Sequence, residues 1–124
     1  MYSEIVMDHF QNPRNAGELT DADAVGKAGE VGRGNYVVIY LRLEGGCIAQ
    51  TGLLTYGCAP AIAAASVLTE MIQGDRPEGA RQISAETLQK ALGGLPLGRR
   101  HCAAQAIDAL REAIDRIEQP SDNR

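Results

Sequence analysis

Three features of this sequence predict an α+β fold in which helices cover one face of an antiparallel sheet. Strand-like runs come early and helical runs come late, without the alternation that builds parallel βαβ units. Residues 36–43 and Cys47–Tyr56 flank Gly45-Gly46, a two-residue hairpin signal that makes the two runs antiparallel neighbours. Beyond residue 58 the chain is punctuated by helix starts and stops.

Each element has its own reason. Ser3 is an N-cap type, and Ile5, Val6, His9 and Phe10 recur at helical spacing, so a short helix opens the chain and Asn12-Pro13 ends it. Residues 14–34 are rich in Gly, Asp and Ala, with one short strand expected around 25–31. After the hairpin, Pro60 falls in the first turn of a helix expected over 61–73 and stopped by Gly74. Residues 74–82, with Pro77, read as a loop, and 95–100 as a turn. Between them Ser84 caps a helix over 85–92 that Gly93 closes. Ile107, Leu110, Ile114 and Ile117 form the buried stripe of a long helix over 103–118, with Glu112 and Arg116 paired outside. A single domain over 1–119 and a frayed tail at 120–124 are expected.

Composition excludes several classes of function. A chain of 124 residues is long enough to bury a core without disulfide or metal staples. A net charge of −4 disfavours nucleic-acid binding, which needs clustered Lys and Arg on one face. Three dispersed cysteines, Cys47, Cys58 and Cys102, do not resemble a secreted disulfide framework. No apolar run is long enough to span a membrane, and the first residues lack a signal-peptide pattern. A soluble protein of the reducing cytoplasm is expected.

The candidate chemistry lies with the cysteines. Cys58 and Cys102 each fall just before a predicted helix, where free N–H groups and the helix dipole favour a thiolate, so both are expected to be more acidic than free cysteine. Arg99, Arg100 and His101 adjoin Cys102. An unbroken hairpin register places Arg33 opposite Cys58 as well. Cys47 sits at the turn end, about 30 Å along the strand from Cys58, and reads as a small, partly buried apolar residue. His101 and Cys102 are neighbours at a helix start and are expected to point apart, so no nucleophile with a paired base is evident and no turnover chemistry is expected.

Tyr2-Ser3-Glu4 with Asp8-His9-Phe10, Asn12-Pro13-Arg14-Asn15-Ala16-Gly17, Thr55-Tyr56-Gly57-Cys58 with Ala61-Ile62-Ala63, and His101-Cys102 run collinearly over nearly the whole chain. In these words the sequence resembles the IscU/NifU family of iron-sulfur cluster scaffolds. The resemblance implies a three-stranded antiparallel sheet packed by helices. It also implies a role: taking sulfur from a cysteine desulfurase, assembling a [2Fe-2S] cluster with iron, and passing it to apo iron-sulfur proteins. Cys58, His101 and Cys102 match the family's second cysteine and its His-Cys pair, and are the implied metal ligands for iron, or for zinc in isolated protein. The family's first cysteine lies in a Cys-Gly-Asp word that here reads Arg33-Gly34-Asn35. Arg33 cannot ligate a metal and Asn35 is a poor ligand. Leu95-Pro96-Leu97-Gly98-Arg99 departs from the segment that some members offer an Hsp70-type chaperone, which weakens that expectation.

Three readings follow. A scaffold or carrier holds iron or a cluster through Cys58 and Cys102, with His101 or a second protomer of a homodimer adding donors. A non-cluster adaptor keeps the desulfurase-binding surface and regulates true scaffolds. A sulfur-relay or anion pocket uses the two helix starts with Arg33, Arg99 and Arg100.

Overall fold

The structure, a computed structural model, describes residues 2–30 and 32–118. Helix α1, Glu4–Gln11, starts where predicted: the Ser3 hydroxyl accepts the Val6 N–H at 3.1 Å. The same hydroxyl donates to the carbonyl of Leu92, tying the start of the chain to a helix end far along it.

Strands β1 (Ala24–Gly29), β2 (Tyr36–Glu44) and β3 (Cys47–Tyr56) form an antiparallel sheet in the order β1-β2-β3. Gly45 and Gly46 make the turn with φ of 62° and 81°, values that a side chain would strain. The ladder opens as expected with Glu44 opposite Cys47 and Leu43 opposite Ile48. It then shifts, because Arg42 pairs with Gln50 and leaves Ala49 as an extra residue on β3. Every later pair, down to Tyr36 opposite Tyr56, is displaced by that one residue.

The helices α2 (Ala59–Ile72) and α5 (His101–Glu118) pack on the sheet, and Val37, Ile39 and Leu41 of β2 are buried with them. Alanines let the layers approach closely. A Cβ on Gly26 of β1 would stand 2.0 Å from the Ala109 carbonyl oxygen and 2.4 Å from the Ala113 nitrogen. Ile107, Leu110 and Ile114 are buried as predicted, while Ile117 is half-buried. Glu112 and Arg116 approach to 3.7 Å on the outer face.

Several boundaries differ from the sequence reading. Helix α2 begins at Ala59 with Cys58 as its N-cap residue. The expected loop at 74–82 contains a helix, α3, Pro77–Arg81, with proline in its first turn. Helix α4 spans Ala85–Ala91, its Ser84 cap accepting the Thr87 N–H. The turn at 95–100 carries a short 3₁₀ segment, Leu97–Arg99. Helix α5 starts at His101, two residues early, which puts Cys102 inside its first turn rather than before it. The strand end expected at Val31 and the tail at 120–124 lie outside the described residues. No helix among the described residues is long and apolar enough to cross a membrane.

Candidate functional site

The end of β3, the start of α2, the start of β2 and the first turn of α5 meet at one corner of the molecule. Gly57, with φ of 153°, lets the chain leave β3 and begin α2 at Cys58. A Cβ at Gly57 would stand 2.3 Å from Asn35 Oδ1, so the glycine also gives the Asn35 side chain its place. Helix α5 brings Cys102 to the same point, 1% exposed.

The sulfurs of Cys58 and Cys102 are 4.0 Å apart, and both cysteines are free. Asn35 Nδ2 lies 3.8 Å from Cys58 Sγ and 3.9 Å from Cys102 Sγ, donating between them. His101 Nε2 is 3.8 Å from Cys102 Sγ. The two neighbours therefore share this corner instead of pointing apart. Two thiolates each about 2.3 Å from one tetrahedral metal stand about 3.8 Å from each other. The observed sulfur separation is thus close to that of a chelating pair.

The electrostatics reverse one expectation. The Cys102 thiol is not acidified but pushed up to about 12, chiefly by burial, then by the charge and hydrogen bond of Cys58. The Arg99 guanidinium opposes this by favouring the Cys102 thiolate. Arg99 is itself held more firmly protonated, first by the Tyr2 hydroxyl and then by the charges of Tyr2, Cys58 and Cys102. Burial explains the reversal: Cys102 is enclosed, with its partner thiol 4.0 Å away.

Arg33 is not the cation beside the thiols. Its side chain is 77% exposed and its Nη1 lies 3.8 Å from Glu30 Oε2. The β2–β3 ladder ends at Tyr36 opposite Tyr56, one residue out of the expected register, so Arg33 lies outside it and is not paired with Cys58. Arg100 is also elsewhere, lining a hollow with Glu86, Gln89 and Lys90. Cys47 stays at the hairpin turn, half-buried and paired with Glu44.

One participant escaped the sequence reading. Gln105 donates from Nε2 to the Asn35 carbonyl at 3.1 Å and so fixes the start of β2 against α5. Its one legible signal is position: it falls one turn after His101, on the same helix face. Among the described residues, no group of three or more His, Cys, Asp or Glu side chains forms a ready ligand set. Any further donor must come by rearrangement or from outside.

The chain matches the family described as NifU-like N terminal domain over residues 1–122. It is 46% identical over 114 residues to the iron-sulfur cluster assembly scaffold protein IscU 1 of Archaeoglobus fulgidus, covering 92% of this chain and 74% of that one. To the iron-sulfur cluster assembly scaffold protein IscU of Buchnera aphidicola it is 38% identical over 117 residues, covering 91% of each. Its fold is similar to that of a nitrogen-fixing NifU-like protein (N-terminal) from Brucella abortus, with a TM-score of 0.73, 21% identity, and coverage of 96% of this chain and 95% of that one.

Proposed function

Because the chain belongs to the family of NifU-like N-terminal domains, we propose that it is an iron-sulfur cluster assembly scaffold whose own thiol pair, Cys58 and Cys102, receives the iron. The single observation that carries this reading is the 4.0 Å separation of the two sulfurs, which fits chelation of one metal. His101 stands close enough to serve as a third donor after a small side-chain rotation. The cargo is iron or a [2Fe-2S] cluster. Its sulfur comes from a cysteine desulfurase, its recipients are apo iron-sulfur proteins, and the setting is the reducing cytoplasm.

Each part of the corner has a task in that work. Asn35 holds both thiols in one place through its amide without competing as a strong ligand. Arg99 adds the positive charge that steadies thiolates and an anionic cluster. A thiol as reluctant to ionise as Cys102 gives up its proton when a metal ion binds, since coordination favours the deprotonated sulfur. Anaerobic reconstitution with iron and sulfide tests the reading. Visible charge-transfer absorption that disappears in Cys58→Ala supports it, and a colourless product with the intact chain counts against it.

A second reading is favoured by one specific observation, the Arg33-Gly34-Asn35 word, which supplies neither a thiol nor a carboxylate to the site. In it the fold is kept as an adaptor for the desulfurase. Iron and acid-labile sulfide found only in an Arg33→Cys variant, and not in the unaltered chain, would favour the adaptor.

A further inference from the structure

Beside the thiol pair lies a cavity of 430 Å³ lined by Gly29, Glu30, Arg33, Asn35, His101 and Gln105. Two of these residues reach the sulfurs themselves: Asn35 donates to both, and His101 approaches Cys102. The remaining polar groups form a distinctive set. Glu30 and Arg33 present a carboxylate and a guanidinium 3.8 Å apart, both largely in solvent. Gln105 spends its amide N–H on the Asn35 carbonyl, and its Oε1 is buried with no hydrogen-bond partner. A buried acceptor left bare is costly, and a turn of the Gln105 amide toward the cavity would give it a ligand N–H.

One charge of each sign, together with a bare acceptor, does not suit a simple anion, which Glu30 would repel. It suits a zwitterion. An ammonium group satisfies Gln105 Oε1 and faces Glu30, while a carboxylate pairs with Arg33. The volume lies within the range of small-molecule sites. The chain's own corner supplies only two thiols, whereas iron-sulfur centres are held by four donors.

We infer that this cavity binds a free α-amino acid carrying a thiol, of which L-cysteine is the simplest, and that the bound thiolate serves as a further ligand to iron held by Cys58 and Cys102. The inference rests on the scaffold reading for its iron and on the cavity alone for its amino acid. Coordination requires only that the incoming thiol release its proton to solvent. No electrons are transferred, and no bond other than the sulfur-iron bond is made.

Two measurements test it separately. The first is calorimetric titration of the metal-free protein, kept anaerobic, with L-cysteine and with L-serine. Saturable binding of both is expected, because recognition lies in the charged ends, with a loss of about tenfold in Arg33→Ala, the order expected for one charge-assisted contact. Absence of saturable L-cysteine binding at millimolar concentration overturns the inference. Arg33 is exposed, so its replacement leaves the core intact.

The second measurement is reconstitution with iron and sulfide in L-cysteine or in the same concentration of 2-mercaptoethanol. A several-fold higher cluster yield with L-cysteine, lost in Arg33→Ala, supports the ligand role. Equal yields, or a cluster shared by two protomers without bound cysteine, overturn that role and leave the scaffold reading standing. No cluster in either thiol overturns the scaffold reading and the iron-ligand role with it, while the titration still decides whether the amino acid binds.

Discussion

Cys58 and Cys102, forty-four positions apart in the chain, place their sulfurs 4.0 Å from each other. This proximity raises the cost of ionising the buried one, and the Cys102 thiol is pushed up to about 12 by burial first and Cys58 second. Removing Cys58 withdraws the second cause and keeps the first. In Cys58→Ser the pH at which Cys102 becomes reactive to iodoacetamide is therefore expected to fall, yet stay above the value of 9.0 for an unperturbed thiol. Arg99→Gln acts in the opposite direction, because it removes a cation that favours the thiolate. Arg33→Ala is expected to leave the profile unchanged, since Arg33 pairs with Glu30 instead. Peptide mass spectrometry of alkylation against pH measures all three. A large shift with Arg33→Ala and none with Arg99→Gln would reverse the assignment of the cation.

The same thiol makes folding sensitive to alkali. The folded chain keeps the Cys102 proton to about 12, whereas the unfolded chain releases it near 9.0, so the native state binds more protons between those values. That part of the stability is complete below the unfolded value and is lost as the pH rises toward the folded one. Urea midpoints measured at increasing alkaline pH should fall less steeply in Cys102→Ala than in the unaltered chain. An equal slope would mean that Cys102 is not the group concerned.

Gly57→Ala is expected to disturb the site before it disturbs the fold. Its φ of 153° strains any residue with a side chain, and the new Cβ would collide with Asn35 Oδ1 at 2.3 Å. The Asn35 amide must then leave the two sulfurs. A cost of about 1–3 kcal/mol is expected for the strained backbone, together with loss of the Asn35 side-chain amide shifts that respond to the thiols in the nuclear magnetic resonance spectrum. Unchanged Asn35 signals in a folded Gly57→Ala protein would show that glycine is not what gives that side chain its place.

The elements that were legible in the sequence are those governed by local chemistry. Gly45-Gly46 fixes a turn through its positive φ values, and Ser3 and Ser84 start helices by accepting an N–H from within the same turn. Helix α3 was not legible because Gly79 interrupts its five residues. The glycine is explained by a contact, since a Cβ there would stand 2.7 Å from Asp75 Oδ1. The displaced register was not legible either: Ala49, the extra residue, has no side chain that signals a bulge. An unbroken register extended past Tyr36 is what set Arg33 beside the thiols with Arg99; of the two, only Arg99 acts on them. The pairing of Cys58 with Cys102 was approached through their places at two helix starts. The sign of the Cys102 shift was not, because burial depends on what packs against the helix and not on where the helix begins.

The contact between β1 and α5 is tight enough to predict a large effect from one methyl group. Gly26→Ala would set a Cβ 2.0 Å from the Ala109 carbonyl oxygen and 2.9 Å from the Ala113 Cβ, both in a buried stretch of α5. Neither neighbour is a flexible side chain able to move aside. Overpacking of this kind costs about 1–3 kcal/mol and more when backbone must shift, so a fall of at least about 2 kcal/mol in unfolding free energy is expected by urea titration. Stability equal to that of the unaltered chain would show that strand and helix can separate freely, and would undermine the packing that brings Cys102 to Cys58.

A polar network of His9, Ser66 and Arg14 lies away from the thiols. His9, 7% exposed, places Nδ1 2.8 Å from Ser66 Oγ, and that hydroxyl also accepts the Arg14 N–H at 2.8 Å. With one lone pair taken by Arg14, the Ser66 hydroxyl can donate its own proton to a neutral His9 ring. Protonating Nδ1 removes that acceptor and charges a buried ring. His9 is accordingly held below the ordinary 6.5, first by burial and then by the Arg14 charge, with Glu70 and Asp8 pulling the other way. Glu70 faces the opposite nitrogen, Nε2, at 3.5 Å. Since the folded ring binds fewer protons than the unfolded one, the stability it contributes is complete above 6.5 and is lost as the pH falls through the lower folded value. Asp8, also held below its usual range, chiefly by its hydrogen bond to Arg14, acts only in a more acid window below 3.8. His9→Asn places an amide near the Nδ1 position but does not titrate. It is expected to cost about 1 kcal/mol near neutrality and to remove the decline in the urea midpoint expected of the unaltered chain as the pH falls below 6.5. If the variant and the unaltered chain lose stability in parallel below that value, the acid sensitivity belongs to another group and the His9–Ser66 contact carries none of it.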